Sequence, residues 1–330
     1  MATVWYALLG LFFAAYLVLG GYDYGSGVLL ARARTPEARR GLLTAVGPFF
    51  LGNEVWLVAA MGILFGAFPM LEGELLSGLY PAVALALAGV ILVTAAVQLR
   101  SREIRLRGGW DRLVIGGSAL AALGWGAVLG GLLQGVPLHA DGHVAGVGHA
   151  VTPFTAATAV TLLALVAVHG AAFLALRLPE GGFAHPGRQL VPWALAAVAG
   201  TAVVGLLSSR VRAAVEQPAA VVPLLGVLAA ALLVAAGAWR RGRPGAAFVA
   251  TSVALVVPVA LVGSATWPYT LVSTVDPAAS LTVADAAASG PTLRLLGWLA
   301  VPLVPALLGF QVMCWWIFRG RIDQRAPVYW

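Results

Sequence analysis

Long apolar stretches fill most of this 330-residue chain, and the arginines fall between them in an alternating pattern. A membrane-spanning helix needs about 20 mostly apolar residues. Nine stretches meet this requirement, at roughly 4–22, 46–69, 75–99, 113–135, 153–176, 190–208, 219–239, 246–268 and 293–318. The sequence therefore predicts an all-α fold, a polytopic transmembrane helix bundle with about nine spans that forms a single integral membrane domain over residues 1–330.

The arginines also predict the orientation of the bundle. All but three of the 20 lie in alternate gaps or in the C-terminal tail, and cytoplasmic loops are enriched in basic residues. The N-terminus is therefore expected outside and the C-terminus in the cytoplasm. The departures are Arg210 and Arg212 in the sixth gap and Arg294 in the eighth. The longest outer loop is expected at about 269–292.

Composition bounds the partners of the chain. It is 61% hydrophobic and only 10% charged, whereas about a quarter of the residues are charged in an ordinary globular protein. A formal charge of +7 would suggest nucleic acid in a soluble chain. Here the arginines flank membrane spans, so orientation and anionic lipid headgroups account for them, and no nucleic-acid partner is expected.

Three acids within or beside the predicted spans are the candidate functional groups, since ionisable side chains in a membrane are costly and commonly functional. Asp23 closes the first span, where it is expected to cap a helix or pair with a loop arginine such as Arg32. Asp111 opens the fourth span, where the helix dipole favours an acid. Counting from Val46 at about 1.5 Å per residue places Glu54 roughly 12 Å into the second span.

Two polar neighbours accompany Glu54. Asn53 and Trp56 are three residues apart and therefore share one helix face, where they are expected to form a polar seam between helices. A charged Glu54 at that depth needs a partner or must be protonated. Two interpretations of Glu54 stay open: a group that stores or relays protons, and a neutral acid that bridges helices.

The histidines and the cysteine do not form a recognisable cofactor site. Haem held by two histidines needs two of them within the membrane, and only His169 lies in a predicted span. The spacing of His139, His143 and His149 in a glycine-rich loop is typical of no metal site. Cys314 is expected to be a small buried apolar side chain. No catalytic, cofactor-binding or metal-binding residue is therefore predicted in this chain.

Six short motifs follow one another from the first span to the last. Together, by their order and spacing, they resemble subunit II of the cytochrome bd-type quinol oxidases over the whole chain. They are Gly-Tyr-Asp-Tyr-Gly-Ser-Gly at 21–27, Gly-Asn-Glu-Val-Trp-Leu at 52–57, Phe-Gly-Ala-Phe-Pro at 65–69, Leu-Gln-Gly-Val-Pro at 133–137, Ala-Ser-Leu-Thr at 279–282 with Asp285 and Ala286 beyond it, and Phe-Arg-Gly-Arg-Ile at 318–322.

The resemblance implies a fold, a partner and an activity. The family fold is two four-helix bundles plus a peripheral helix, in the bacterial plasma membrane. Subunit II is haem-free and forms a heterodimer with subunit I, which binds haem b and haem d and couples quinol oxidation to the reduction of oxygen to water. Small single-span accessory subunits and membrane lipids are further expected partners. The catalytic centre is expected in subunit I.

The resemblance also implies that subunit II contributes to a proton path from the cytoplasm. This chain departs from the family pattern at two places that affect this path. The family usually has Trp-Asp before Gly-Asn, and this chain has Phe50 and Leu51 there. The family also has Phe-Arg-Pro near the end of the third span, whereas the stretch at 93–95 is Val-Thr-Ala. Either Glu54 takes the role of the missing acid, or the path has been lost and the subunit is purely structural.

A secondary transporter is the alternative from a different class of protein. Transporters also have many spans, and their binding sites are commonly formed where helices unwind at glycine or proline. Pro258, Pro302 and Pro305, within the predicted spans, would mark such sites. The scarcity of charged groups inside the spans and the series of motifs argue against this alternative.

Overall fold

The computed structural model describes residues 1–100, 107–179 and 184–322, without the side chains of 184–186. Nine helices of this described part are long and apolar enough to cross a membrane, as the sequence predicted. They are α1 (Ala2–Leu29), α2 (Pro36–Ala67), α4 (Tyr80–Arg100), α5 (Arg107–Gln134), α6 (Pro153–Arg177), α7 (Ala184–Leu207), α9 (Pro218–Arg240), α10 (Pro244–Ala265) and α12 (Gly290–Ile317). Three shorter helices join them: α3 (Pro69–Gly78), α8 (Ser209–Ala214) and α11 (Val283–Ala286).

The crossing helices form two groups of four and one outlying helix. Helices α1, α2, α4 and α5 make up the first group, and α6, α7, α9 and α10 the second. The groups share a core because α1 and α5 pack against α6 and α10. Helix α12 packs against α2 and is the least buried of the crossing helices. This arrangement confirms the two-bundle fold that the resemblance implied.

The connections with few arginines pack together at one end of the bundle. There β1 (Tyr269–Leu271) pairs with β2 (Leu281–Thr282) in an antiparallel hairpin. Val136, just after α5, forms a bridge to Ser273 in the same region. We call the end that holds residues 135–152 and 266–289 the arginine-poor end.

Helices α1 and α2 extend furthest beyond their predicted bounds. Helix α1 continues to Leu29, so Asp23 lies inside it rather than at its end. Helix α2 begins at Pro36, where the Thr35 hydroxyl accepts a hydrogen bond from the Ala38 amide at 3.1 Å and a proline fits the first helical position. Glu54 therefore lies about 27 Å along the helix axis from Pro36 at 1.5 Å per residue. The expected helix start near Val46 was wrong because the first turns of α2 carry arginines and are not apolar, whereas the depth of Glu54 in the membrane stays a prediction.

Small residues bring the helix backbones into contact. A Cβ added at Gly25 would lie 1.9 Å from the carbonyl oxygen of Val166, and one at Gly170 would lie 2.4 Å from the carbonyl carbon of Gly25. Glycine at these positions lets α1 and α6 cross backbone to backbone. In α10 and α12 the helix continues through Pro258, Pro302 and Pro305, so these prolines do not unwind the described helices.

Candidate functional site

A buried polar cluster around Asn53 joins three helices near the middle of the bundle. The Asn53 amide nitrogen on α2 donates to Asp23 Oδ2 at 2.8 Å and to the Tyr22 hydroxyl at 2.7 Å, both on α1. The side-chain oxygen of Asn53, Oδ1, accepts a hydrogen bond from Gln311 Nε2 on α12 at 3.3 Å. The Trp56 indole donates to Gln311 Oε1 at 3.0 Å. The structure thus brings Asp23, Asn53 and Trp56 together, and it adds Tyr22 and Gln311.

Asp23 is the most deeply placed acid of this cluster. Its side chain is buried, and its second oxygen, Oδ1, has no hydrogen-bond partner. The expected helix cap or pair with Arg32 is wrong, because α1 stays helical past Asp23 and turns this side chain toward α2. Arg32 instead donates to Gln189 Oε1 at 3.2 Å. A buried carboxylate oxygen without a partner is unfavourable, so this atom needs a proton or a water molecule.

Glu54 lies at the edge of the cluster and faces a different neighbour. Its Oε1 accepts a hydrogen bond from the Thr94 hydroxyl on α4 at 2.5 Å, and the side chain is half-buried. Leu51, where the family usually has an acid, is 53% exposed and lies one turn earlier on the same helix face. Val58, one turn after Glu54, is 69% exposed. Glu54 is therefore the acidic member of an otherwise apolar, uncovered stripe of α2.

Asp111 belongs to a separate site, where the start of α2, the end of α4 and the start of α5 meet. Its carboxylate lies 3.0 Å from Arg39 Nη1 on α2 and 2.5 Å from Arg100 Nε on α4. Both Asp111 and Arg100 are buried. The structure is helical from Arg107, so Asp111 lies within α5 rather than opening it, and two arginines rather than the helix terminus alone balance its charge.

The histidines are engaged in local contacts. His169 Nδ1 lies 2.8 Å from the Thr251 hydroxyl, and Nε2 lies 3.0 Å from the Val18 carbonyl oxygen. At the arginine-poor end, His143 Nδ1 lies 3.1 Å from Glu74 Oε1. Burial lowers the pKa of His149; a backbone hydrogen bond with Gly78 opposes this effect, and the charge of Arg210 adds to it. No group of three or more metal-ligating side chains occurs among the described residues.

Sequence reasoning missed several members of these sites. Gln311, Thr94 and Tyr22 were not singled out, although each was visible as a polar side chain in an apolar stretch. Arg39 and Arg100 fall in the gaps between the predicted spans, whereas the structure places both within helices. The signal that was available is a lone hydrogen-bonding side chain within a span, since such a group must find a partner on another helix.

Comparison with known proteins places the chain in a family. The family model for cytochrome bd terminal oxidase subunit II matches residues 1–318. Cytochrome bd-I ubiquinol oxidase subunit 2 of Escherichia coli (strain K12) is 30% identical over 97% of this chain and 95% of that protein. Cytochrome bd ubiquinol oxidase subunit 2 of Bacillus subtilis (strain 168) is 27% identical over 98% of each chain.

A solved structure supports the same fold. The bd oxidase from Geobacillus thermodenitrificans superposes with a TM-score of 0.73, at 15% identity, over 96% of this chain and 98% of that chain. The chain belongs to the cytochrome bd terminal oxidase subunit II family. It is a multi-pass bacterial membrane protein and a subunit of a quinol:oxygen oxidoreductase, with a subunit I as its partner, as the motifs predicted. The transporter alternative is therefore set aside.

Proposed function

We propose that this chain is the haem-free subunit of its oxidase, and that haem b, haem d and the oxidation of quinol belong to subunit I. The support is the engagement of both ring nitrogens of His169: Nε2 donates to the Val18 carbonyl oxygen, and Nδ1, which carries the one lone pair, faces the Thr251 hydroxyl rather than an iron atom. His185 lies in the first turn of α7 and its side chain is outside the described part, so His169 is the only histidine within a crossing helix whose side chain the structure describes. The described histidines therefore do not fit a haem held by histidine, which needs a ring nitrogen free for the iron.

The orientation proposed for the subunit follows from its charges. The arginine-rich connections include the segment that leads into α2, where Arg39 meets Asp111, and the end of α4 at Arg100. Basic connections favour the cytoplasmic side. On this basis the Asp111 site is cytoplasmic, the N-terminus is outside and the C-terminus is inside. Small accessory subunits and membrane lipids complete the proposed set of partners.

Within the oxidase, we propose that Glu54 relays protons that enter from the cytoplasm. The observation that carries this proposal is the position of Glu54 on the same face of α2 as Leu51, next to a hydroxyl partner. An acid at either position points toward the same uncovered surface, because residues three apart on a helix are neighbours. Glu54 can therefore replace the acid that the family usually has one turn earlier.

The Asn53 cluster would then hold a second proton-binding group beside the relay. Asn53 is bonded to Asp23 and is the chain neighbour of Glu54, so it ties the two acids to one point of α2. The unpartnered Oδ1 of Asp23 provides a place for a proton or a buried water molecule. The competing interpretation gives Asn53 and Trp56 only a packing role, in which they hold α12 through Gln311.

Replacing Glu54 with Gln in the purified two-subunit complex tests the relay. Gln keeps the size of the side chain but cannot carry a proton, so quinol-dependent oxygen consumption and proton uptake are expected to fall by about tenfold or more. Glu72→Gln, on α3, is the matched control and should leave both rates unchanged. The reduced-minus-oxidised haem spectrum should be identical in all three complexes.

A rescue variant separates a relay from a structural role. In the double variant, Leu51→Asp is added to Glu54→Gln and restores an acid one turn away on the same face. The double variant is therefore expected to recover most of the proton uptake that Glu54→Gln alone loses. Unchanged proton uptake in Glu54→Gln would show that the subunit uses no acid at this position and would favour the purely structural interpretation.

A further inference from the structure

Arg210 and Arg212 lie at the end of the molecule where arginines are scarce. Both belong to α8, and a Cβ added at Gly135 would lie 3.6 Å from Ala214 Cβ in α8 and 2.7 Å from the Val272 carbonyl oxygen. This contact places α8 beside the connections of the arginine-poor end. Basic residues normally accumulate on the cytoplasmic side, and the proposed orientation puts that side at the other end of the bundle. The positive-inside tendency therefore does not explain Arg210 and Arg212.

Neither arginine is neutralised by an acid. The ion pairs of the described residues involve only Asp111 and Glu74 as acids. Arg212 Nη1 donates to the carbonyl oxygen of Leu206, in the last turn of α7. A guanidinium has five N–H donors, so this single bond leaves most of them available for an anion.

Arg212 stands at the mouth of an apolar cavity. The cavity has a volume of about 540 Å³ and lies between α7 and α9, with α5, α6 and α10 behind them. At its mouth Leu206 and Val222 are 70% and 74% exposed, whereas Leu162 at its inner wall is 2% exposed. The volume is within the roughly 300–1,000 Å³ typical of ligand pockets. The cavity thus runs from the lipid-facing surface into the core.

The polar groups that line the cavity do not call for a polar ligand. Thr161 and Thr201 are hydrogen-bonded to each other at 2.8 Å, and the Thr158 hydroxyl donates to the Thr155 carbonyl oxygen at 2.9 Å. Their hydrogen-bonding capacity is used within the protein, so the interior is suited to a hydrocarbon chain. Arg212 is the only charged residue among the described residues that line it.

We propose that this cavity binds one acyl chain of an anionic phospholipid whose phosphate contacts Arg212, with Arg210 adding positive charge beside it. An acyl chain matches the apolar walls, and an Arg–phosphate contact forms a strong charge-assisted hydrogen bond. The charge at the mouth favours a phospholipid over a neutral isoprenoid ligand. This proposal is independent of the Glu54 relay and of where the haems lie.

Native mass spectrometry of the purified two-subunit complex tests the site. The wild-type complex is expected to retain anionic phospholipid, and Arg212→Gln is expected to retain roughly tenfold less, since one charge-assisted hydrogen bond is lost. Arg240→Gln is the matched control, because Arg240 is an exposed arginine at the far end of α9. It should retain as much phospholipid as the wild type.

A second variant tests the cavity rather than the charge. Ala202→Phe fills the cavity without changing any charge, and it is expected to displace the same lipid; Val222→Trp at the exposed mouth serves if that variant does not assemble. Equal retention of anionic phospholipid by Arg212→Gln and the wild type would overturn the proposal. Loss in Arg212→Gln with full retention in the filled variant, or recovery of a quinone instead of a phospholipid from the wild type, would also overturn it.

Discussion

A single buried carboxylate, Asp111, links three helices at the arginine-rich end of the bundle. It is shared by Arg39 on α2 and Arg100 on α4, at 3.0 Å and 2.5 Å. Arg100 is 7% exposed, so it depends on Asp111 for charge balance, whereas the side chain of Arg39 is 36% exposed and is partly solvated. The two arms of one ion-pair network therefore differ in what their loss would leave behind.

Asp111→Asn is expected to destabilise the complex strongly. The substitution leaves Arg100 as a buried charge without its partner, which typically lowers the free energy of unfolding by about 3–5 kcal/mol. Arg39→Gln removes only the more exposed arm, and about 1 kcal/mol or less is expected. Thermal unfolding of the purified complex measures both variants. An equal loss of stability in the two variants would contradict this account of the network.

At the scale of helices, the contact between α1 and α6 depends on glycine. The Cβ of an alanine at Gly25 would lie 1.9 Å from the Val166 carbonyl oxygen, so the two backbones must separate to accept it. We expect Gly25→Ala to lower the stability of the complex by about 1–3 kcal/mol, as overpacking of a tight core does. The readout is the midpoint of thermal unfolding together with the yield of assembled complex.

Gly200→Ala is the matched control for that substitution. Gly200 lies within α7, and a Cβ added there would meet no atom within 4 Å. Alanine has a helix propensity more favourable than that of glycine by about 1 kcal/mol, so this variant should be neutral or slightly more stable. A loss of stability in Gly200→Ala as large as that in Gly25→Ala would show that packing at the α1–α6 contact is not the cause.

The same contact shows what sequence reasoning could and could not supply for the helices. Apolar length gave the number of crossing helices correctly, because a span must satisfy its own backbone hydrogen bonds. The first span was expected to end near Asp23, whereas α1 continues through the glycine-rich segment at 21–27 to Leu29. In the structure α6 packs directly on this segment at Gly25. Local composition does not show which helix packs there.

The candidate site was predictable only in part for a related reason. Asn53 and Trp56 were expected on one helix face, and the spacing was enough to place them there. Their common partner Gln311 lies more than 250 residues away in the chain, in the last crossing helix, α12. Spacing along one helix gives the direction of a side chain, whereas the partner depends on which helix the fold brings to that face.

Across the whole molecule, many buried polar side chains lie where helices meet, and they form hydrogen bonds or ion pairs between those helices. The Asn53 cluster joins α1, α2 and α12; Asp111 joins α2, α4 and α5; and His169 joins α6 to α10 and α1. Since polar side chains in a membrane gain most from partners on other helices, these contacts define the arrangement of the bundle. A haem ligand, in contrast, must keep one atom free for the metal.

His169 provides the decisive comparison for the haem content of the subunit. Its ring nitrogens are taken by Thr251 and Val18, so His169→Gln is expected to leave both haem bands of the reduced-minus-oxidised spectrum, measured per complex, unchanged. The cost should appear in stability instead, at about 1 kcal/mol per lost hydrogen bond. Thr251→Val, which removes one of these bonds, should show a smaller fall in the same thermal midpoint. Loss of a haem band from an assembled His169→Gln complex would show that this subunit ligates iron.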